Sequence, residues 1–299
     1  MISAVIDIGS NTIRMSIYKY VNNEMTILVT KKEMVGLIKY VKDKQMMEQG
    51  INRACEVLRV YKEIIDNFDI QDVHAFATAS LRNILNSEDV IAIIKERTDL
   101  DVTIISSSQE ASLEFIGASK NVFHQTGVLV DIGGGSTEIV LFNEGKIEKA
   151  ISMPIGSLNM YTKYVKDILP TKKESKQIKK EVLEKLEKHF NKDDLSKYPI
   201  VCGVGGSIRA TSKLYNDCYG LSNGNHQMNY QKMKDMYQVL SSSSKKTLHK
   251  LLDIVPERCK TILVGMLIFK TIVKYFKCDE IVVSKYGVRE GYFYEKVVK

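Results

Sequence analysis

The sequence contains no tryptophan and no sustained interleaving of aromatic with basic residues, so it lacks the stacking strip on which nucleic acids are often held. No specific nucleic-acid partner is expected. Cysteine is sparse: Cys55, Cys202, Cys218, Cys259 and Cys278 are odd in number, widely spaced and free of any C-x-x-C pair. That argues against a disulfide framework and against a zinc site, and it fits a reducing cytoplasm. The five histidines are equally scattered and supply no H-E-x-x-H or similar spacing. The longest apolar run, residues 262–269, falls far short of the roughly 18 residues a membrane span needs. An apolar segment that begins almost at Met1 leaves no room for a signal peptide, so the expected location is cytoplasmic, with no membrane partner.

What is present suits a soluble α/β protein. At 299 residues, 44% hydrophobic and 26% charged, the chain can bury a core in each of two ordinary domains. The net charge of +7 reads either as a generic basic surface or as attraction for a polyanion. Charge alone does not choose among nucleic acid, nucleotide and polyphosphate. Short strands at 25–30, 73–78 and 101–105 alternate with helices over 49–67, 86–97 (capped by Ser87) and 110–119, which argues for α/β layers. Residues 172–190 are rich in Lys and Glu, yet Ile178, Val182, Leu186 and Phe190 recur every four residues. A solvated helix with one buried stripe accounts for them better than a nucleic-acid surface. A strand over 199–204 runs into a helix, residues 255–277 read as an amphipathic helix, 280–284 as a strand and 289–297 as a closing helix.

One phrase occurs twice: VIDIGSNTIRMSIYKY at the start and VLVDIGGGSTEIVLF near the middle. Each is an apolar run, Asp-Ile-Gly, a group of small residues and a second apolar run, the pattern of a β-hairpin. Successive N–H groups in such a turn make a concavity that suits anions. The repetition points to two duplicated halves facing one polyanionic ligand across a cleft. The pattern restarts near 121–126, which divides the chain into domains 1–122 and 123–299, with the last helix free to pack back on the first domain.

The polar or glycine-rich turns at strand ends are 7–11, 106–110, 131–137 and 203–207, and in α/β folds ligands collect at such ends. Gly133, Gly134 and Gly135 form either a plain hairpin turn or a phosphate cradle; Gly205 and Gly206 serve either close packing or a ligand. Asp is a poor strand residue, so Asp7 and Asp131 at equivalent points of the repeats call for a reason. Capping of the turn is one, and holding hydrated Mg2+ against phosphate oxygens is the other, favoured because the motif occurs twice. Glu138 lies on the solvent face or points to the same cleft. Arg14 and Arg82 are candidate phosphate clamps, since a guanidinium fork matches phosphate. Glu110 opens a helix, where an acid is commonplace for dipole reasons.

Seven segments in this order, VIDIGSNTIRMSIY, ATASLRN, SSSQEASLEFIGA, VDIGGGSTEIV, GVGGSIRA, PERCKTILVGMLIF and VSKYGVREG, resemble the exopolyphosphatase/guanosine pentaphosphate phosphohydrolase family. That family shares a superfamily with sugar kinases, acetate kinase and actin. The resemblance implies two ribonuclease-H-like α/β domains with an inter-domain cleft and hydrolysis of a terminal phosphoanhydride. It also implies Mg2+ as the cation with K+ as an activator, polyphosphate or pppGpp as substrate, and a homodimer. It maps the catalytic glutamate onto Glu110, further functional acids onto Asp131 and Glu138, and metal binding onto Asp7, Asp131 and Glu138. The phosphate-binding turns map onto Gly9, Ser10, Asn11 and onto Gly133, Gly134, Gly135, Ser136, Thr137, with Arg82 as the basic partner. Two departures stand out. The family's Ser-Gly-x-Glu-Glu-Ala reads Ser-Ser-Ser-Gln-Glu-Ala here, so Ser107 replaces a glycine and Gln109 a glutamate, and loss of the glycine is expected to reshape the loop. The chain also ends soon after GVREG, where longer relatives continue into a helical domain. The competing readings are a kinase on the same scaffold and a weakly active polyphosphate or (p)ppGpp sensor.

Overall fold

The computed structural model describes residues 1–120, 126–191, 195, 198–242 and 245–298. Strands β1 (Ile2–Ile8) and β2 (Thr12–Val21) form the first expected hairpin, with Ile8 opposite Ile13 and Asp7 opposite Arg14. The meander continues into β3 (Glu24–Met34), followed by a small hairpin of β4 (Val41–Lys42) and β5 (Gln45–Met46). Helix α1 (Glu48–Asn67) buries the face its spacing predicts, through Ile51, Ala54, Leu58 and Ile65. It shares a core with Ile6 and Ile13 of the sheet, and the buried Tyr61 hydroxyl donates to the Ile13 carbonyl at 3.0 Å. Strand β6 (Asp72–Ala77) runs parallel to β1; after α2 (Ala79–Arg82) and α3 (Ser87–Thr98), β7 (Val102–Ile104) runs parallel to β6. The sheet order is β3-β2-β1-β6-β7.

The cap of α3 corrects the sequence reading. Asn86, not Ser87, occupies the cap position, and its side chain does not cap the helix. It accepts from Met46 N at 2.9 Å and donates to Met46 O at 3.1 Å, tying α3 to β5 instead. Helix α4 (Ser107–Ser119) likewise begins three residues before the expected Glu110.

The second repeat is β8 (Gly127–Ile132) and β9 (Thr137–Asn143), with Ile132 opposite Thr137 and Asp131 opposite Glu138. Strand β10 (Lys146–Met153) completes a meander through a turn at Glu144 and Gly145, both with positive φ. After α5 (Ser157–Tyr164) and α6 (Lys172–His189), β11 (Ile200–Val204) runs parallel to β8. Helix α7 (Gly205–Tyr219) leads to β12 (Gln227–Asn229), α8 (Tyr230–Leu240), α9 (Lys245–Ile254) and α10 (Ile262–Tyr275). Strand β13 (Glu280–Val283) then joins parallel to β11, giving the order β10-β9-β8-β11-β13-β12. Five strands here repeat the order and sense of the first sheet. Two mixed α/β units built on one plan are therefore present, as the duplicated phrase implies.

Helix α6 starts with a reciprocal capping box, Glu174 N to Thr171 Oγ1 at 3.3 Å and Thr171 N to Glu174 Oε2 at 2.8 Å, and buries the expected stripe Ile178, Val182, Leu186. Helix α10 departs from expectation. Residues 255–277 are not one amphipathic helix: Val255 leaves the helical region before Pro256 (φ −139°, ψ 53°), a 3-10 turn follows, and the α-helix begins only at Ile262. A residue preceding proline is disfavoured in the helical region, so the break falls there. The helix is then buried almost all round, leaving Lys270, Lys274 and Tyr275 as the side chains that reach the surface.

Contacts divide the chain into Met1–Glu110 with Tyr292–Lys299, and Ala111–Gly291. The expected boundary between residues 122 and 123 lies outside the described residues. The chain closes with α11 (Val288–Tyr292) and a π-helical turn, Phe293–Val297. Within the first unit Tyr292 stacks on Phe76 at 4.8 Å and Phe293 lies 4.6 Å from Tyr18. The buried stripe of α6 carries a stability prediction. Leu186→Ala should cost about 2–5 kcal/mol, whereas Lys176→Ala on the exposed face should stay within about 0.5 kcal/mol, both read from urea unfolding.

Candidate active site

In the β1–β2 turn, Gly9 N closes the hairpin on Thr12 O at 3.0 Å. The carbonyls of the two residues between are tied back into the fold: Ser10 O accepts from Ile38 N at 3.0 Å, and Asn11 O from Val35 N at 3.0 Å and Gly36 N at 2.9 Å. Among the described residues, nothing accepts from the N–H of Ser10 or Asn11. Asp7 ends β1 almost fully buried and faces Arg14 across the strand pair.

The β8–β9 turn repeats the device. Gly133 N donates to Ser136 O at 2.9 Å. The N-terminus of α5 takes up the turn's carbonyls: Ser157 N meets Gly133 O at 2.9 Å, and Leu158 N and Asn159 N meet Gly134 O at 3.0 Å. The Asn159 amide adds a bond to Gly135 O at 2.8 Å. Gly156 makes this approach possible, since a Cβ there would lie 2.3 Å from the Gly134 carbonyl. The N–H groups of Gly134, Gly135 and Ser136 meet no acceptor among the described residues, so this turn too offers a row of donors suited to an anion. Thr137 contributes differently from its neighbours: it is buried, and its hydroxyl donates to Ile155 O.

Asp131 and Glu138 are direct partners on the antiparallel pair β8–β9, a placement in which like charges repel. Glu138 is 2% exposed, which rules out the solvent-face alternative, and it accepts from Ser152 Oγ at 2.7 Å. Glu114, 1% exposed on α4, brings a carboxylate oxygen within 4.8 Å of Glu138. Glu110 lies one turn earlier on that helix and is also buried. Buried carboxylates of this kind can hold a metal ion; all donors are oxygens, which fits a hard cation such as Mg2+. Asp131 also lies against the start of α7: a Cβ on Gly205 would sit 1.8 Å from its Oδ1, and Gly205 has φ +79°. A helix N-terminus favours a carboxylate there. On the next turn of α7, burial lowers the Arg209 guanidinium below its ordinary value, while Asp131 draws it back up.

The SSSQEA segment is the start of a helix and not a loop. Ser106 caps α4, its Oγ accepting from Gln109 N at 3.1 Å, while Gln109 Oε1 accepts from Ser106 N at 2.8 Å. This is a capping box that needs Ser at the first position and Glu or Gln at the fourth. Ser107 is not among the residues with positive φ and stands at the start of α4. Glu110, on the first turn, pairs with Arg82 at 2.7 Å, and the same guanidinium nitrogen donates to Ile105 O at 3.1 Å. Arg82 therefore grips the glutamate itself.

Thus the first unit assembles Asp7, Gly9, Ser10 and Asn11 on one turn, with Arg82 and Glu110 joined as an ion pair. The second assembles Asp131, Gly133–Gly134–Gly135, Ser136, Thr137 and Glu138. Sequence reasoning missed Glu114 and Arg209. The signal for Glu114 was a lone charge between Leu113 and Phe115, one turn beyond Glu110. Gly205→Ala should destabilise the protein by about 1–3 kcal/mol from the backbone alone and displace Asp131, whose Oδ1 would lie 1.8 Å from the new Cβ; thermal unfolding checks it.

Residues 16–299 match the Ppx/GppA phosphatase family. The chain is 31% identical over 307 residues to a bifunctional 3-dehydroquinate synthase/phosphatase of Fusobacterium nucleatum, covering 94% of this chain and 44% of that protein. It thus spans less than half of that relative's length. The crystal structure of a Ppx/GppA family member from Aquifex aeolicus is 27% identical, with a TM-score of 0.83 over 100% of this chain and 98% of the other. An exopolyphosphatase structure from Cytophaga hutchinsonii shares the fold at 22% identity, with a TM-score of 0.87 over 98% of this chain and 97% of the other. With nearly its whole length matched, the chain belongs to the Ppx/GppA phosphatase family.

Proposed function

We propose that this chain is an exopolyphosphatase that hydrolyses the terminal phosphoanhydride of inorganic polyphosphate. The observation that carries the reading is the pair of hairpin turns whose carbonyls are tied back and whose N–H groups are left as donors. Such donors neutralise phosphoryl oxygens without reading a base or a sugar, which suits a chain made only of phosphate. Family membership and the buried Glu110–Arg82 pair add the hydrolytic chemistry.

In this mechanism Glu110 is the general base. It accepts a proton from water as the water oxygen attacks the terminal phosphorus, and the bridging P–O bond breaks in line to release orthophosphate and a chain shorter by one unit. Arg82 is a positioning residue that fixes the carboxylate by its ion pair. General-base assistance is worth about 10²–10⁴ in rate; fixed N–H donors and charge neutralisation at the transferring group are the larger contribution. Asp131 and Glu138, with Asp7 as the equivalent acid of the first turn, would hold Mg2+, whose role when bound is to neutralise charge on the phosphate oxygens. No covalent nucleophile is required.

Two experiments test the reading. Phosphate release from long-chain polyphosphate, tripolyphosphate and pppGpp should be fastest from the long chain; preferential cleavage of pppGpp would replace this substrate assignment with its guanosine counterpart. Glu110→Gln should lower kcat by about 10²–10⁴ with KM little changed, and a fully active variant would remove Glu110 as base. Arg82→Ala should lower kcat as well, and breaking the buried pair should cost about 3–5 kcal/mol of stability, measured by denaturant unfolding.

A further inference from the structure

Three lysines, carried on three helices of the second unit, lie within electrostatic reach of a fourth, Lys270. Lys270 on α10 lays its ammonium over the ring of Tyr237 on α8, 4.0 Å from the centroid. Lys274 is one turn further along α10 and Lys234 one turn before Tyr237 on α8, so each shares the face of its neighbour. Lys179, on α6, completes the group, since α6 packs along α10. Burial, Lys179, Lys234 and Lys274 together hold Lys270 down at about 8. Burial pushes the Tyr237 phenol up, so the ring beneath is neutral. Nearby lysines are treated differently: Lys163 pairs with Glu181 at 2.8 Å and Lys180 with Glu184 at 3.7 Å. No ion pair reaches Lys179, Lys234, Lys270 or Lys274 among the described residues.

We propose that Lys179, Lys234, Lys270 and Lys274 form a binding site for a compact polyanion of the phosphate class, seated beside the Tyr237 ring. Assembling like charges around a half-buried ammonium is unfavourable by itself, and an aromatic face offsets only part of it. An anion with several negative oxygens bridges all four groups at once and turns mutual repulsion into attraction. The plainer account, in which the cation–π contact satisfies Lys270, Gln231 Oε1 accepts from Lys234 Nζ at 3.3 Å and water satisfies the other two, gives no reason for three further lysines to lie within electrostatic reach of Lys270. The site is built wholly from helices of the second unit and from residues outside both turns, so it does not depend on the hydrolytic reading.

Methylenediphosphonate, whose P–C–P link resists hydrolysis, is the probe, with sodium chloride at matched ionic strength as control. Brief acylation with an N-hydroxysuccinimide ester, mapped by mass spectrometry on the full-length protein, should find Lys270 among the fastest-reacting lysines. Methylenediphosphonate at about ten times its dissociation constant should slow that labelling about tenfold, as occupancy by mass action requires, while chloride should not. Calorimetry should show one fewer bound methylenediphosphonate in the Lys234→Met/Lys270→Met variant than in the parent, whether or not the turns also bind it. Unchanged labelling of Lys270 in the unaltered protein, equal protection by chloride, or unchanged stoichiometry in a variant of normal melting temperature would each overturn the site.

Discussion

The turn carbonyls must be satisfied inside the fold, and this single requirement organises both halves of the protein. A buried or crowded carbonyl without a donor costs free energy comparable to a lost hydrogen bond. In the first turn the donors come from Val35, Gly36 and Ile38, the stretch just after β3. In the second they come from the N-terminus of α5, whose first N–H groups have no partner within the helix. The two solutions use unrelated elements and reach one result. With the carbonyls drawn inward, the N–H groups of Ser10, Asn11, Gly134, Gly135 and Ser136 are left as donors. The row of donors is thus a consequence of how the backbone is paired, and needs no charged side chain in the turn itself.

The duplicated turns have diverged in electrostatics. Asp7 faces Arg14, whereas at the equivalent register Asp131 faces Glu138. One residue changes a complementary pair into a repulsive one, and the second unit surrounds it with compensations. Ser152 donates to Glu138, the N-terminus of α7 approaches Asp131 through Gly205, and Arg209 lies within electrostatic reach. These contacts steady the two acids where their strand partnership brings them together.

Much of this was legible in the chain. Both hairpins, the parallel strands, α1 and the buried stripe of α6 follow from period-2 and period-4 patterns that burial enforces. The unread parts share a cause. Helices α5, α8 and α9 raised no expectation because they are short, although Met233, Met236, Tyr237 and Leu240 of α8 do stand at helical spacing. The start of α10 was misjudged because Pro256 interrupts an apolar pattern that is otherwise continuous. In the candidate site, the turns and Glu110 were readable as motifs. Glu114, Arg209 and the grip of Arg82 on Glu110 were not, since each depends on residues distant in sequence meeting across packed elements.

The SSSQEA segment shows why a departure from a family pattern need not be a loss. Where glycine and glutamate are expected, the chain carries Ser107 and Gln109, and a capping box forms between Ser106 and Gln109. An Ala in place of the capping Ser106 would cost about 0.5–2 kcal/mol, and Gln109 keeps the fourth position of the box in a residue type that suits it. The cap fixes the first turn of α4, and Glu110 belongs to that turn. Its carboxylate is then held from the side by Arg82, itself anchored on Ile105 O. A neutral glutamine at position 109 also removes a negative charge next to Glu110, so the one acid on that turn keeps the guanidinium to itself. In this chain Glu110 is thus ordered from two directions, by the cap that opens α4 and by its ion pair with Arg82.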